Sequence, residues 1–346
     1  MPFEISMVSN MDHKKKPTLI KQEPKLKIGV FRRGGLGDGL YENMFIRNIK
    51  AHFKNSEIHA FIDIPFFPVL QGHPDCSQFQ YVRWGPTIMT EMDVRNYYLD
   101  NYDIWFDIKP LQVLDGKGRE GLWDINMENR IKDIESRYYA PNGAEMFDWY
   151  QEMGVNSQEE MFVKLFNIPV DLSKAYFNKA DISHSIRLPE KYATISAGWT
   201  FVSNHKSWTG VGWENICEYL NSKGICPVQL GKSDEPIIKG AMIATHLSLQ
   251  QQYTVLSGSM FHMGSDGFLT HVAAMMHVPA VVLWGVTPWQ VWGHVNQYHV
   301  ISPEFHNFWW SSWHWTKENR CLEIMAAISP EQVKEQIDKL MQERHA

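Results

Sequence analysis

Two short stretches carry residues arranged as a ligand site would need them. Ser265-Asp266-Gly267 runs straight into a helix predicted over residues 268–277, where Leu269, Val272, Ala273 and Met276 recur at spacings of three and four. A helix start turns its first N–H groups outward, so Asp266 and the amides of Gly267, Phe268 and Leu269 should line a site that accepts an anion. The alternative is that Asp266 caps the helix, a common use of that residue. Toward the other end of the chain, Gly34-Gly35-Leu36-Gly37-Asp38-Gly39 follows an apolar run almost at once, a loop over which a ligand can lie close to the backbone.

Familiar phosphate loops do not fit. Gly35, Gly37 and Gly39 are spaced G-x-G-x-G, one residue short of the dinucleotide fingerprint at its third glycine, and Gly231-Lys232-Ser233 lacks the earlier glycine of a Walker loop. Cys76, Cys217, Cys226 and Cys321 show no Cys-x-x-Cys pairing, which indicates reduced structural thiols. His294, His299, His306 and His314 are too irregularly spaced to argue for a metal site.

The elements that must position these stretches read as α/β units. A strand over 27–32 leads through the glycine loop into a helix over 40–53, with further strands at 58–64, 79–84 and 102–108. Residues 110–170 read only as helical, with acceptor-facing surface. The polar segment 169–189 is the expected interdomain linker, after which the rhythm restarts with a strand at 192–197, a polar and aromatic loop at 198–212, and a helix bearing Trp213, Ile216, Cys217 and Leu220 on one face. Strands at 226–230 and 280–284 and a short helix at 247–256 follow; the apolar run 280–284 is of the kind buried on both faces of a parallel sheet, and Pro279 is read as the stop of the helix before it. Ser329, Pro330 and Gln332 form a capping box for a last helix whose Val333, Ile337, Leu340 and Met341 make one stripe, expected to pack across the domain junction. The division expected is a leader at 1–24, one domain at 25–175 and a second at 176–346.

The 346 residues are too many for one ordinary domain and suit two, and 44% hydrophobic with 21% charged residues is a well-cored composition. No run of eighteen apolar residues occurs, and the lysine-bearing start does not read as a signal peptide, so a cytoplasmic protein without a transmembrane segment is expected. A net charge of −6 gives no reason to expect general nucleic-acid affinity, though it leaves room for a local basic cleft. Among fourteen tryptophans, those at 309, 310, 313 and 315 cluster, either to stack on sugars and bases or to fill a junction.

Together these stretches resemble glycosyltransferase family 9, the heptosyltransferase-like enzymes of the GT-B fold. The resemblance rests on the Arg-x-Gly-x-x-Gly-Asp loop ending at Asp38, on Gly198 with Lys206-Ser207-Trp208 and Trp213, on Gly264-Ser265-Asp266 with His271, Val272, Ala273, Ala274, Pro279 and Gly285, and on Arg320-Cys321 before the closing helix. One departure stands out: Gly267 directly follows Asp266, and Phe268 occupies the position where the family has glycine, while the spacing from Asp266 to His271 is kept.

The resemblance implies two Rossmann-like α/β domains with parallel sheets facing a central cleft. It also implies inverting transfer of a sugar, heptose among the candidates, from a nucleotide diphosphate donor in the C-terminal domain to an acceptor hydroxyl at the N-terminal one. Asp38 is then the base that takes the acceptor proton, unless it only caps its helix. Arg33, Gly35 and Gly37 form the acceptor-side loop. Lys206, rather than a merely solvated lysine, is the cation that meets the leaving diphosphate, with the helix start at Gly267, Phe268 and Leu269. Asp266 holds sugar hydroxyls or the turn, His271 reaches the diphosphate or braces the turn, and Glu235 meets the ribose. With no Asp-x-Asp in the chain, no metal or other cofactor is expected beyond the nucleotide sugar. The acceptor expected is a cell-envelope glycan or glycolipid at the inner face of the membrane, with peripheral membrane contact. Glycosylation of another polymer such as DNA or protein, a non-catalytic protein on the same frame, and a nucleotide-sugar epimerase are the alternatives.

Overall fold

In the computed structural model, the residues described are 25–31, 35–62, 67–81, 101–107, 157, 159–160, 163, 168–197, 205–305 and 318–345. They form two sheets. The first has the order β3-β2-β1-β4, from β1 (Leu26–Phe31), β2 (Ser56–Ile62), β3 (Gln78–Tyr81) and β4 (Ile104–Asp107). The second has the order β10-β9-β8-β5-β6-β7, from β5 (Tyr192–Ser196), β6 (Cys226–Leu230), β7 (Met242–Ile243), β8 (His262–Ser265), β9 (Ala280–Trp284) and β10 (Gln297–Ile301). Each described pairing is parallel. Continuous apolar strands suit this arrangement, and β9 is buried at every position.

Strand order reverses between β1 and β4 in one sheet and between β5 and β8 in the other. In open parallel sheets the ligand crevice lies beyond the carboxyl ends of the strands at such a reversal. The glycine loop follows β1 and the Asp266 turn follows β8, so both stretches open where a crevice is expected.

The helices are α1 (Leu36–His52), α2 (Phe67–Leu70), α3 (Gly210–Ser222), α4 (Leu249–Ser257), α5 (Phe268–Met275), α6 (Trp289–Trp292), α7 (Glu318–Ala326) and α8 (Pro330–His345). Helix α3 buries the expected Trp213, Ile216, Cys217 and Leu220. Two boundaries differ from expectation. Helix α1 starts at Leu36, so Gly37 and Asp38 belong to its first turn rather than to a loop. Helix α5 stops before Pro279 is reached: His277 takes a left-handed φ of 57°, its N–H donates to Ala274 O at 3.1 Å, and the Val278 N–H donates to Ala273 O at 2.9 Å. That pair of bonds is a Schellman stop, with His277 where glycine is usual.

The last helix also corrects the sequence reading. Val333, Ile337 and Leu340 join the cluster of Trp213, Leu220 and Val281 in the second sheet's own core, and Tyr219 of α3 and Lys223 at its C-cap reach Asp338 at 2.5 and 2.9 Å. Helix α8 therefore closes its own half and does not cross the junction. Its stripe fixes which face is buried, not against what.

The junction is carried by α1 and by segment 168–190. One apolar cluster joins Leu40, Met44 and Phe45 of α1 to Val272, Ala273 and Met275 of α5. Asn43 donates to Val69 O and Tyr176 O at 2.8 and 2.9 Å and accepts from the Tyr176 N–H at 2.7 Å; Asn48 likewise holds the Asp171 N–H at 2.9 Å. Farther along, Thr254 of α4 donates to Ala180 O at 2.6 Å. The segment read as a linker is thus laced to α1 on one side and α4 on the other.

Candidate active site

Asp266 is the most tightly held group among the expected site residues. It is 5% exposed, and its Oδ2 accepts from Lys206 Nζ at 2.6 Å and from Thr287 Oγ1 at 2.8 Å. His271 Nε2 lies 3.7 Å from Oδ1. Burial alone would push this carboxyl up, but the charges of Lys206 and His271 and the bonds from Lys206 and Thr287 outweigh it and hold Asp266 below the usual carboxylate range. Asp266 is not the helix cap: Gly267 is the N-cap of α5.

The Gly267 amide, expected in the anion site, donates instead to Thr270 Oγ1 at 3.2 Å. Phe268 and Leu269 occupy the next two positions, where a helix has no acceptor of its own for the N–H. The Phe268 ring tilts against Tyr253 of α4 with centroids 6.3 Å apart, and its side chain packs against the apolar cluster. Lys206 is not a solvated lysine, since its side chain is only 14% exposed.

On the other side of the cleft, Asp38 is half-buried at the third position of α1, and its Oδ2 accepts the N–H of the N-cap Gly35 at 2.6 Å. The carboxylate ties the helix start from within the first turn. Arg33 lies outside the described residues. Gly37 brings the halves together: a methyl group added to its Cα would stand 3.6 Å from His271 Cδ2. Tyr41, one helical turn on, sets its ring 5.6 Å from that of His271. Asp38, Gly37, His271, Asp266 and Lys206 therefore belong to one locus.

Glu235 stands apart from these contacts. It folds over Gly231, whose φ of 135° opens the turn, and its Oε1 accepts the Lys232 N–H at 2.9 Å. Burial pushes its carboxyl up against the pull of that N–H and of the Lys232 charge.

Three participants escaped the sequence reading. Thr287 follows β9, and β9 lies beside β8, so Thr287 falls next to Asp266 across the sheet. His294, read only as an unlikely metal ligand, bonds His271 ring to ring, Nδ1 to Nε2, at 2.9 Å. Burial pushes His294 down, against the pull of Glu159 and Asp266. Glu159 lies 3.7 Å from His294 Nδ1. The Trp309–Trp315 cluster and residues 110–156 lie outside the described residues.

Residues 146–308 match the model of glycosyltransferase family 9 (heptosyltransferase). Over those residues the chain is similar to glycosyltransferase family 9. A lipopolysaccharide heptosyltransferase 1 of Campylobacter coli is 21% identical over 306 residues, 76% of this chain and 85% of that protein. Among solved structures, E. coli ADP-heptose lps heptosyltransferase II aligns with a TM-score of 0.55 at 13% identity, over 93% of this chain and 100% of that one. E. coli heptosyltransferase WaaC with ADP-2-deoxy-2-fluoro heptose aligns with a TM-score of 0.57 at 15% identity, over 91% and 99%. The fold is GT-B, two parallel-sheet α/β halves. Among its described residues no helix is long and apolar enough to cross a membrane.

Proposed function

We propose that this glycosyltransferase moves a sugar, with inversion, from a nucleoside diphosphate sugar held at the Asp266 turn to an acceptor hydroxyl presented at the Gly35–Asp38 turn. The observation that carries the reading is the approach of Gly37 to His271. It brings a carboxylate at the reversal point of one sheet against an anion-suited helix start at the reversal point of the other. The half spanning 25–175 is the acceptor side, and that spanning 176–346 the donor side.

Asp38 takes the acceptor proton as the oxygen attacks the anomeric carbon and the nucleoside diphosphate leaves. Charge growing on the diphosphate is met by Lys206 and by the Phe268 and Leu269 amides, without a metal. The bond to Asp266 aims Lys206, whose ammonium carries three donors. Buried and doubly bonded at Oδ2, Asp266 orients Lys206 and the turn rather than the sugar. Glu235 meets the ribose. The name of the Campylobacter relative supports a lipopolysaccharide-type acceptor, and the two E. coli names support ADP-heptose as the first donor to try. The enzyme then works in the cytoplasm, in peripheral contact with the membrane that presents its acceptor.

A thermal-shift panel of ADP, UDP, GDP, CDP and their sugar conjugates tests the donor side. A ligand at a hundred times its Kd adds about 2.7 kcal/mol to stability. One nucleotide is expected to stabilise the wild type and to do so far less in Lys206→Ala, each read against its own unliganded melting point. A panel in which none stabilises the wild type would overturn the reading.

A further inference from the structure

The buried histidine pair at the junction of α5 and the loop after α6 has a definite proton arrangement. His271 and His294 share one hydrogen bond between Nδ1 and Nε2, with the rings nearly perpendicular at 85°. Each outer nitrogen faces an acid at 3.7 Å, His271 Nε2 toward Asp266 and His294 Nδ1 toward Glu159. A neutral pair has only two N–H protons; one lies in the shared bond, and the other can serve one acid. The acids are unequally supplied. Asp266 already accepts from Lys206 and Thr287, whereas Glu159 Oε1 is buried with no hydrogen-bond partner among the described residues. The proton is therefore needed more on His294 Nδ1, which leaves His294 Nε2 as acceptor and His271 Nδ1–H as donor.

We infer that His294 is a positioning residue that locks His271 in the Nδ1–H form, so that His271 gains and loses its proton at Nε2, on the side of Asp266. Resting on the donor reading above, this places a titrating charge beside the diphosphate. Among the described residues, the groups facing the pair are Asp266 and, through it, Lys206; Glu159; the Tyr41 ring, with centroids 5.6 Å from His271 and 6.4 Å from His294; and His299, which feels the His294 charge.

Two-bond proton–nitrogen correlations on the full chain, labelled at histidine and without ligand, distinguish Nδ1–H from Nε2–H imidazoles. His271 is expected as Nδ1–H at alkaline pH, taking its proton at Nε2 as pH falls. His294→Phe should fill the space yet release His271 to the Nε2–H form and move its titration to lower pH. His294→Gln, which keeps an acceptor, should restore the Nδ1–H form. An Nε2–H His271 in the wild type, or one unchanged in His294→Phe, would overturn the inference. ADP titrations on the same proteins read the consequence: affinity about tenfold weaker above the His271 titration than below it in the wild type, and flat across it in His294→Phe. Failure of ADP to bind at every pH counts against the donor reading alone, because the ligand-free spectra still uphold or overturn the role of His294.

Discussion

The two carboxylates at the junction of this glycosyltransferase are built differently. Asp266 is 5% exposed and takes Lys206 and Thr287 on one oxygen. Asp38 is half-buried, and the bond it accepts at Oδ2 comes from the amide of Gly35, three residues away. A buried charge held by a cation and a hydroxyl is fixed and firmly ionised. A carboxylate at the lip of a helix can exchange a proton with a bound hydroxyl. Under the reaction proposed above, Asp266 builds the site and Asp38 reacts in it.

The largest effect should come from the reactive side. Asp38→Ala is expected to lower sugar transfer about 10²–10⁴-fold, the usual contribution of a positioned base. Nucleoside diphosphate binding should stay as in the wild type, and loss of the Gly35 bond should lower stability by about 1 kcal/mol. Equal losses in transfer and nucleotide affinity would erase the contrast between the two acids.

Asp266→Ala breaks the structural side and takes from Lys206, whose side chain is 14% exposed, the carboxylate it pairs with, at a cost of about 3–5 kcal/mol in a melting experiment. The contrast also has a pH signature. Because the folded protein holds Asp266 below the usual carboxylate range, its contribution is complete above that range and declines as pH falls through it toward the folded value. Melting temperature against pH should show this acid-side loss in the wild type and a shallower one in Asp266→Ala.

How much of this the chain discloses depends on the range of the interaction. Strand β9 is legible to the residue because a doubly buried parallel strand must be continuously apolar, and the Ser329/Gln332 cap because it spans one helical turn. The start of α1 is not: its glycines argue for a loop, and the bond from Asp38 back to Gly35 overrides them. Nor are Thr287 and His294, which lie 21 and 23 residues from their partners and meet them only through the pairing of β8 with β9 and the path of the chain beyond it. The Asp266 turn could be found as a local pattern, but what neutralises it could not.

Thr287→Val sharpens that point with a smaller change. It keeps the side-chain shape and removes one donor to Asp266 Oδ2, so stability should fall by about 1–3 kcal/mol. Lys206 remains paired, hence the acid-side loss should persist and move to higher pH. A variant as stable as the wild type would show that Thr287 adds nothing to what Lys206 and His271 impose on Asp266.

The smallest expected change in stability tests the place where the two carboxylates' surroundings meet. Gly37 sits in the first turn of α1 without a left-handed φ, and a methyl group there would make ordinary contact with His271 Cδ2 at 3.6 Å. Nothing in the fold therefore requires glycine. In a helix alanine is favoured over glycine by roughly 0.5–1 kcal/mol, so Gly37→Ala should melt no lower than the wild type and slightly higher if the full propensity is realised. The same methyl group covers backbone that an acceptor would have to approach beside Asp38. If the acceptor lies there, KM for the acceptor rises while nucleotide affinity is unchanged, and stability and function part company at one residue. If transfer is untouched, the acceptor approaches Asp38 from another side, and the proximity of Gly37 to His271 serves only to join the halves.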